Sequence, residues 1–110
     1  MAIQSVAIGA TNTTVFTATG DKMVATIIFC NQELPDPIQV DSNVTYLDLH
    51  LVANGDSPSN VNRIVNGLMI PAGETVFFDT ERIVLQDGDT VVANTTSPAV
   101  ITATISTVDI

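Results

Sequence analysis

The sequence predicts an all-β fold, a two-sheet antiparallel sandwich of jelly-roll type with about eight strands, folded as one domain over residues 1–110. Three observations predict it. Val, Ile and Thr dominate a chain that is 45% hydrophobic and 14% charged, while the strong helix formers are scarce. Short apolar or alternating runs recur at a spacing of roughly 8–12 residues, with turn chemistry between them. No long stretch repeats its apolar residues with the 3.6-residue period of a helix.

The first strand is expected over residues 3–8, ending at Gly9, and a Thr-rich second one over 12–19, closing at Gly20-Asp21. Gly20 can take the positive φ that a tight turn often needs. Residues 22–31, KMVATIIFCN, form the most hydrophobic run. Apolar on both faces, it reads as a central strand covered on both sides, or covered on one side by an oligomer contact. Pro35 and Pro37 cannot donate to a strand ladder, so residues 34–38 read as a loop or an irregular edge. Residues 44–53 alternate, with Leu47, Leu49 and Leu51 on one face and Tyr46, Asp48 and His50 on the other.

Residues 54–60, NGDSPSN, combine Gly, Pro and small polar side chains and predict an exposed loop. A strand over 63–70 follows, and Pro71-Ala72-Gly73-Glu74 suits a type II turn. In residues 75–80, Val76 and Phe78 share one face, and Thr75, Phe77 and Asp79 fall on the other. One phenylalanine is therefore expected in the core and the other at a sheet edge or an interface. A short run over 82–85 leads to Asp87-Gly88, a strong hairpin signal. Strands over 90–94 and 100–110 complete the set. In the last, Ile101, Ala103 and Ile105 alternate with Thr102, Thr104 and Ser106. Such Thr-rich polar faces cost little to dehydrate, so some are expected to be covered by neighbouring copies of the chain.

Charge narrows the partners. Three Lys plus Arg against twelve Asp plus Glu give a formal net charge of -9, which speaks against nucleic acid and repels an anionic membrane. The apolar runs are too short for a membrane span, and no basic segment followed by an apolar run marks the N-terminus for export. The three sequons at Asn12, Asn43 and Asn94 are read as chance matches in an Asn- and Thr-rich chain.

Catalytic residues are few. His50 is the single histidine, with Asp48 two residues before it on the same strand face, where a carboxylate could orient an imidazole. The blander reading is a surface strand histidine. Cys30 is the single cysteine, and its apolar run predicts a small buried hydrophobe. Asp87 and Asp89 flank Gly88, and Asp56 lies in a polar loop, so oxygen ligands for calcium could gather there, although a turn explains the motif. The basic residues Lys22, Arg63 and Arg82 are expected to pair with acids, with Asp79 and Glu81 near Arg82. No enzyme activity, metal or cofactor is expected.

Read together, ATNTTVFTATGDKMVATIIFCN, YLDLHLVANGDS and LMIPAGETVFFDTERIVLQDGDTVVANTTSPAVITATIS resemble small β-sandwich virion structural proteins of tailed bacteriophages, of the cyanophage and marine phage type. The resemblance implies a structural role in the virion, assembled in the host cytoplasm, with oligomerisation and no catalysis. A capsid decoration (cement) protein that forms a homotrimer and binds the major capsid protein is favoured over a neck- or tail-associated protein. The competing class is a host-surface or glycan-binding module built from Tyr46, His50 and residues 54–60. Tyr46, Phe77, Pro35 and Pro37 are the positions expected at an interface.

Overall fold

The computed structural model describes residues 2–39, 43–78, 83–96 and 101–110. Nine strands follow one another: β1 (Ala2–Ile8), β2 (Thr13–Thr17), β3 (Lys22–Asn31), β4 (Thr45–Val52), β5 (Arg63–Ile70), β6 (Thr75–Phe78), β7 (Ile83–Leu85), β8 (Thr90–Thr95) and β9 (Ile101–Asp109). Every expected strand is present, with bounds shifted by a few residues at most, and the described residues contain no helix. The expected pairing of Arg82 with Asp79 or Glu81 lies outside the described residues.

The strands form two antiparallel sheets, one ordered β1-β9-β3-β6 with β7 also on β3, the other ordered β2-β8-β4-β5. Phe78 to Thr75 pair with Ile27 to Cys30, while Leu85 to Ile83 pair with Lys22 to Val24. Because β9 occupies the other side of β3 along its length, β6 and β7 act as two pieces of one edge strand. Counted that way, the two sheets have the strand order of a jelly roll. Of the connections between successive strands, β4 to β5 stays within one sheet as a hairpin; most of the others cross between the sheets.

One expectation is corrected here. Asp87-Gly88 forms a tight turn, with the Asp89 N–H donating to the Gln86 carbonyl at 3.0 Å and Gly88 at φ 90°. Yet β7 and β8 belong to different sheets, so the turn carries the chain across the sandwich and closes no hairpin. Turn chemistry encodes a local reversal; which sheet the next strand joins is decided by the apolar face it must bury.

The core lies between the sheets and follows the alternation read from sequence. Ile27, Phe29, Leu47, Leu49, Ile101, Ala103 and Ile105 are fully buried, with Val15 and Val91 beside them. Phe29 meets Phe78 edge to face, ring centroids 5.7 Å apart at 84°. At one end of the sandwich the buried Asn31 joins separate segments. Its Nδ2 donates to the carbonyls of Asn43 (2.9 Å) and Ile70 (3.1 Å), and its Oδ1 accepts the Glu33 N–H at 3.0 Å. The adjoining turn is the type II turn expected at residues 71–74, with Gly73 at φ 77° and the Glu74 N–H donating to the Pro71 carbonyl.

Lys22 and Asp109 close the other end of the larger sheet as an ion pair. The ammonium beside Asp109 holds that carboxyl below the usual aspartate range. A depressed folded-state pKa contributes stability above the unfolded value and loses it as pH falls through the folded one. Asp109 is exposed, so Asp109→Asn is expected to leave the urea midpoint at neutral pH nearly unchanged.

Candidate interaction face

Register decides which side chains share a face. On the side of the larger sheet away from the core, Ser5, Thr104, Ile28 and Phe77 stand opposite one another across β1, β9, β3 and β6. Ala7, Thr102, Cys30 and Thr75 form the next row towards one end. Towards the other end come Ile3, Ser106 and Thr26, then Val108, Met23 and Val84. Among the described residues this outer face carries no charged side chain, in a chain of net charge -9. Ile3 is 72% exposed, and Phe77 and Val84 are each 59% exposed.

Local chemistry explains why such a face folds well. Thr, Val and Ile favour the pleated backbone, and the Ser5 and Thr104 hydroxyls hydrogen-bond across the strands at 3.0 Å. Gln32 adds a donor to the Thr102 hydroxyl at 2.9 Å. The polar groups are thereby partly satisfied within the molecule, and covering them costs less than covering charges. From strand spacing and rise, the face presents roughly 500 Å². That is less than the ~800 Å² per partner of a standard protein interface, so it suits a reversible contact.

The described acids lie elsewhere. Asp87 and Asp89 sit in the turn between β7 and β8, at one end of the sandwich, and both are occupied by backbone donors. The Gly20 N–H donates to Asp87 at 2.7 Å, and the Gln86 and Asn54 N–H groups donate to Asp89 at 2.9 Å each. Among the described residues no group of His, Cys, Asp and Glu is placed to hold a metal ion. The acids of this turn therefore hold loop backbone in place.

Asp48 plays a similar part on the outer face of the smaller sheet. Strand β5 carries two register irregularities against β4, and Gly67 sits at one of them with φ 71°. The Gly67 N–H, turned out of the ladder, donates to Asp48 Oδ1 at 2.7 Å, and Arg63 lies 3.8 Å from the same carboxylate. Asp48→Ala is expected to cost about 1–2 kcal/mol in urea unfolding, because the bulge amide loses a charged acceptor. A cost near zero would mean water replaces the carboxylate.

Asp48 therefore does not orient His50, and His50 is not a surface histidine. It is 6% exposed, with Nδ1 3.0 Å from Asn62 Oδ1. Asn62 Nδ2 donates to the Ser57 carbonyl and its Oδ1 accepts the Ser59 N–H, which fixes the amide and assigns the imidazole proton to Nδ1. The histidine is thus a tie that anchors the β4–β5 loop. Cys30 also departs from expectation: it is half-buried on the uncharged outer face, because in β3 the core-facing positions are Phe29 and Asn31. Cys30 and His50 consequently belong to different sheets.

The residues expected at an interface are not brought together. Phe77 stands on the uncharged face, whereas Tyr46, 46% exposed, pairs with Met69 on the outside of the other sheet. Pro35 and Pro37 are exposed in the loop after β3, where the Pro35 ring lies close against Gly73. Only Phe77 belongs to the larger face. Sequence reading missed Ile3, Met23, Ile28 and Val84, whose membership depends on register; the uncharged alternation in β9 was its one visible signal.

A shallow groove of about 190 Å³ between β4 and β7, lined by Leu51, Val52, Ile83 and Val84 among others, is smaller than ordinary ligand pockets of ~300 Å³ or more. Comparison of the chain with protein-family models, with curated proteins and with solved structures gives no match in any of the three.

Proposed function

We propose that this chain is a non-enzymatic structural subunit of a virion, a capsid decoration protein that self-associates and binds the shell. The observation that carries the self-association is the outer face of the larger sheet, which among the described residues carries no charge, on a chain of net charge -9. Two like-charged copies repel, and the repulsion is least where neither presents charge at the contact. Apolar and Thr-rich surface then supplies the attraction, at roughly 25 cal/mol per Å² of apolar area buried, less the cost of association. The virion setting comes from the sequence resemblance, which also suggests a trimer. In a particle, many weak contacts acting together would hold a subunit whose single contact is reversible.

Phe77→Asp tests this reading, since it places a carboxylate on the face at a position whose exposure spares the fold. Light scattering after gel filtration should find the wild type assembled at high concentration and the variant at a lower mass, with the dissociation constant of the face contact raised on the order of 100-fold. Equal masses for the two proteins would remove this face from the account.

A further inference from the structure

The sandwich ends in free sheet edges at β1, at β6 with β7, at β2 and at β5. A free edge offers unpaired N–H and C=O groups to any approaching strand, and proteins blunt such edges by shortening, bulging or charging them. Two of them are blunted here: β5 has two register irregularities and begins at Arg63, and β2 is five residues long with a register shift. β1 has none of these devices. It runs for seven residues, AIQSVAI, in unbroken register with β9, without a charge, proline or bulge, and it is mostly exposed.

We propose that β1 pairs edge to edge with β1 of a second copy, antiparallel about a two-fold axis at Ser5. The inference rests on the reading that copies associate, and it adds a contact separate from the sheet face. A second copy is the fitting occupant because it carries this same unblunted strand. Pairing about Ser5 sets Ala2 against Ile8 and Ile3 against Ala7, small against large, and Gln4 against Val6. Odd positions oppose odd ones, so core-facing and outer residues keep their sides. No like charges meet. The two outer faces become one continuous sheet surface, and the two-fold contact gives an even number of copies in place of a trimer.

Amide hydrogen exchange along β1 tests the pairing, read residue by residue at a concentration where light scattering shows assembly. In the monomer every other amide of an edge strand points to solvent and exchanges fast. Edge pairing should slow those outward amides by about a hundredfold or more, so that protection becomes continuous. Ser5→Cys in a Cys30→Ser background should also form a disulfide dimer on mild oxidation. Strand partners lie about 4.5–5.5 Å apart between Cα atoms, within the reach of a disulfide. The dimer should survive the further change Phe77→Asp. An assembled protein whose β1 amides still alternate and whose Ser5→Cys variant stays uncrosslinked would overturn the edge pairing and leave the face contact standing. A wild type that stays monomeric at every concentration would overturn both.

Discussion

Replacing Phe29 by alanine is expected to cost about 3–5 kcal/mol of stability, against the roughly 5–15 kcal/mol that holds a domain of this size together. Phe29 is fully buried in the central strand of the larger sheet, with Ile27 on its own strand and the ring of Phe78 edge-on at 5.7 Å. Its removal leaves a cavity between two sheets that are each fixed by their own ladders and cannot collapse to fill it. Urea unfolding should show a much lower midpoint with an unchanged slope. Phe77→Ala is the internal comparison: two positions along the chain, but on the outer face and 59% exposed, it should cost about 0.5 kcal/mol or less in the monomer. Similar losses for the two would mean that the inward and outward faces are misassigned.

The second large effect is expected at Asn31. Its amide nitrogen donates to two carbonyls, of Asn43 and Ile70, in a place closed to water. Asn31→Asp keeps the shape but points a carboxylate oxygen at both carbonyls, an uncompensated buried charge that costs about 3–5 kcal/mol at neutral pH. Burial and the facing carbonyls both favour the protonated form, so the folded-state pKa of the introduced carboxyl lies above its unfolded value. The sign follows. The deficit relative to wild type should be smallest below the unfolded pKa of about 3.9 and should widen as pH rises through the folded one. Thermal unfolding of both proteins from acidic to neutral pH measures that gap. A gap constant with pH would show that the carboxylate reaches solvent.

The sequence made the strands legible because each is a short apolar or alternating run bounded by Gly, Pro, Asn or Asp. Residues 22–31 and 63–70 are strands over the spans expected. It also marked which residues enter the core wherever alternation was clean, as at Leu47 and Leu49 or at Ile101, Ala103 and Ile105. Pairing was not legible. The Asp87-Gly88 turn looks locally the same whether it joins partners in one sheet or carries the chain to the other, and here it does the latter.

His50 shows a second limit. Its strand position points it outward, but a loop residue twelve positions on, Asn62, accepts its ring N–H and helps bury it. For the interaction face, Phe77 was visible as the odd aromatic of a pair, and the Thr-rich alternation of β9 hinted at a coverable surface. Ile3, Ile28 and Val84 join them only through register across β1, β9, β3, β6 and β7. Tyr46 was an equal candidate by alternation, yet the other sheet carries it.

The most direct measurement of the central claim, that like-charged copies meet on the outer face of the larger sheet, is the solution mass of the wild type as salt is raised. Screening shortens from about 30 Å at 0.01 M to about 3 Å at 1 M, which weakens the repulsion between copies of net charge -9 without touching an uncharged contact. Association should therefore tighten with salt as well as with protein concentration, while Thr104→Asp, with a charge on the face, stays at a lower mass than the wild type under the same conditions. Assembly that loosens as salt rises would reveal a contact built on ion pairs. A wild type at the monomer mass throughout would contradict self-association on this face altogether.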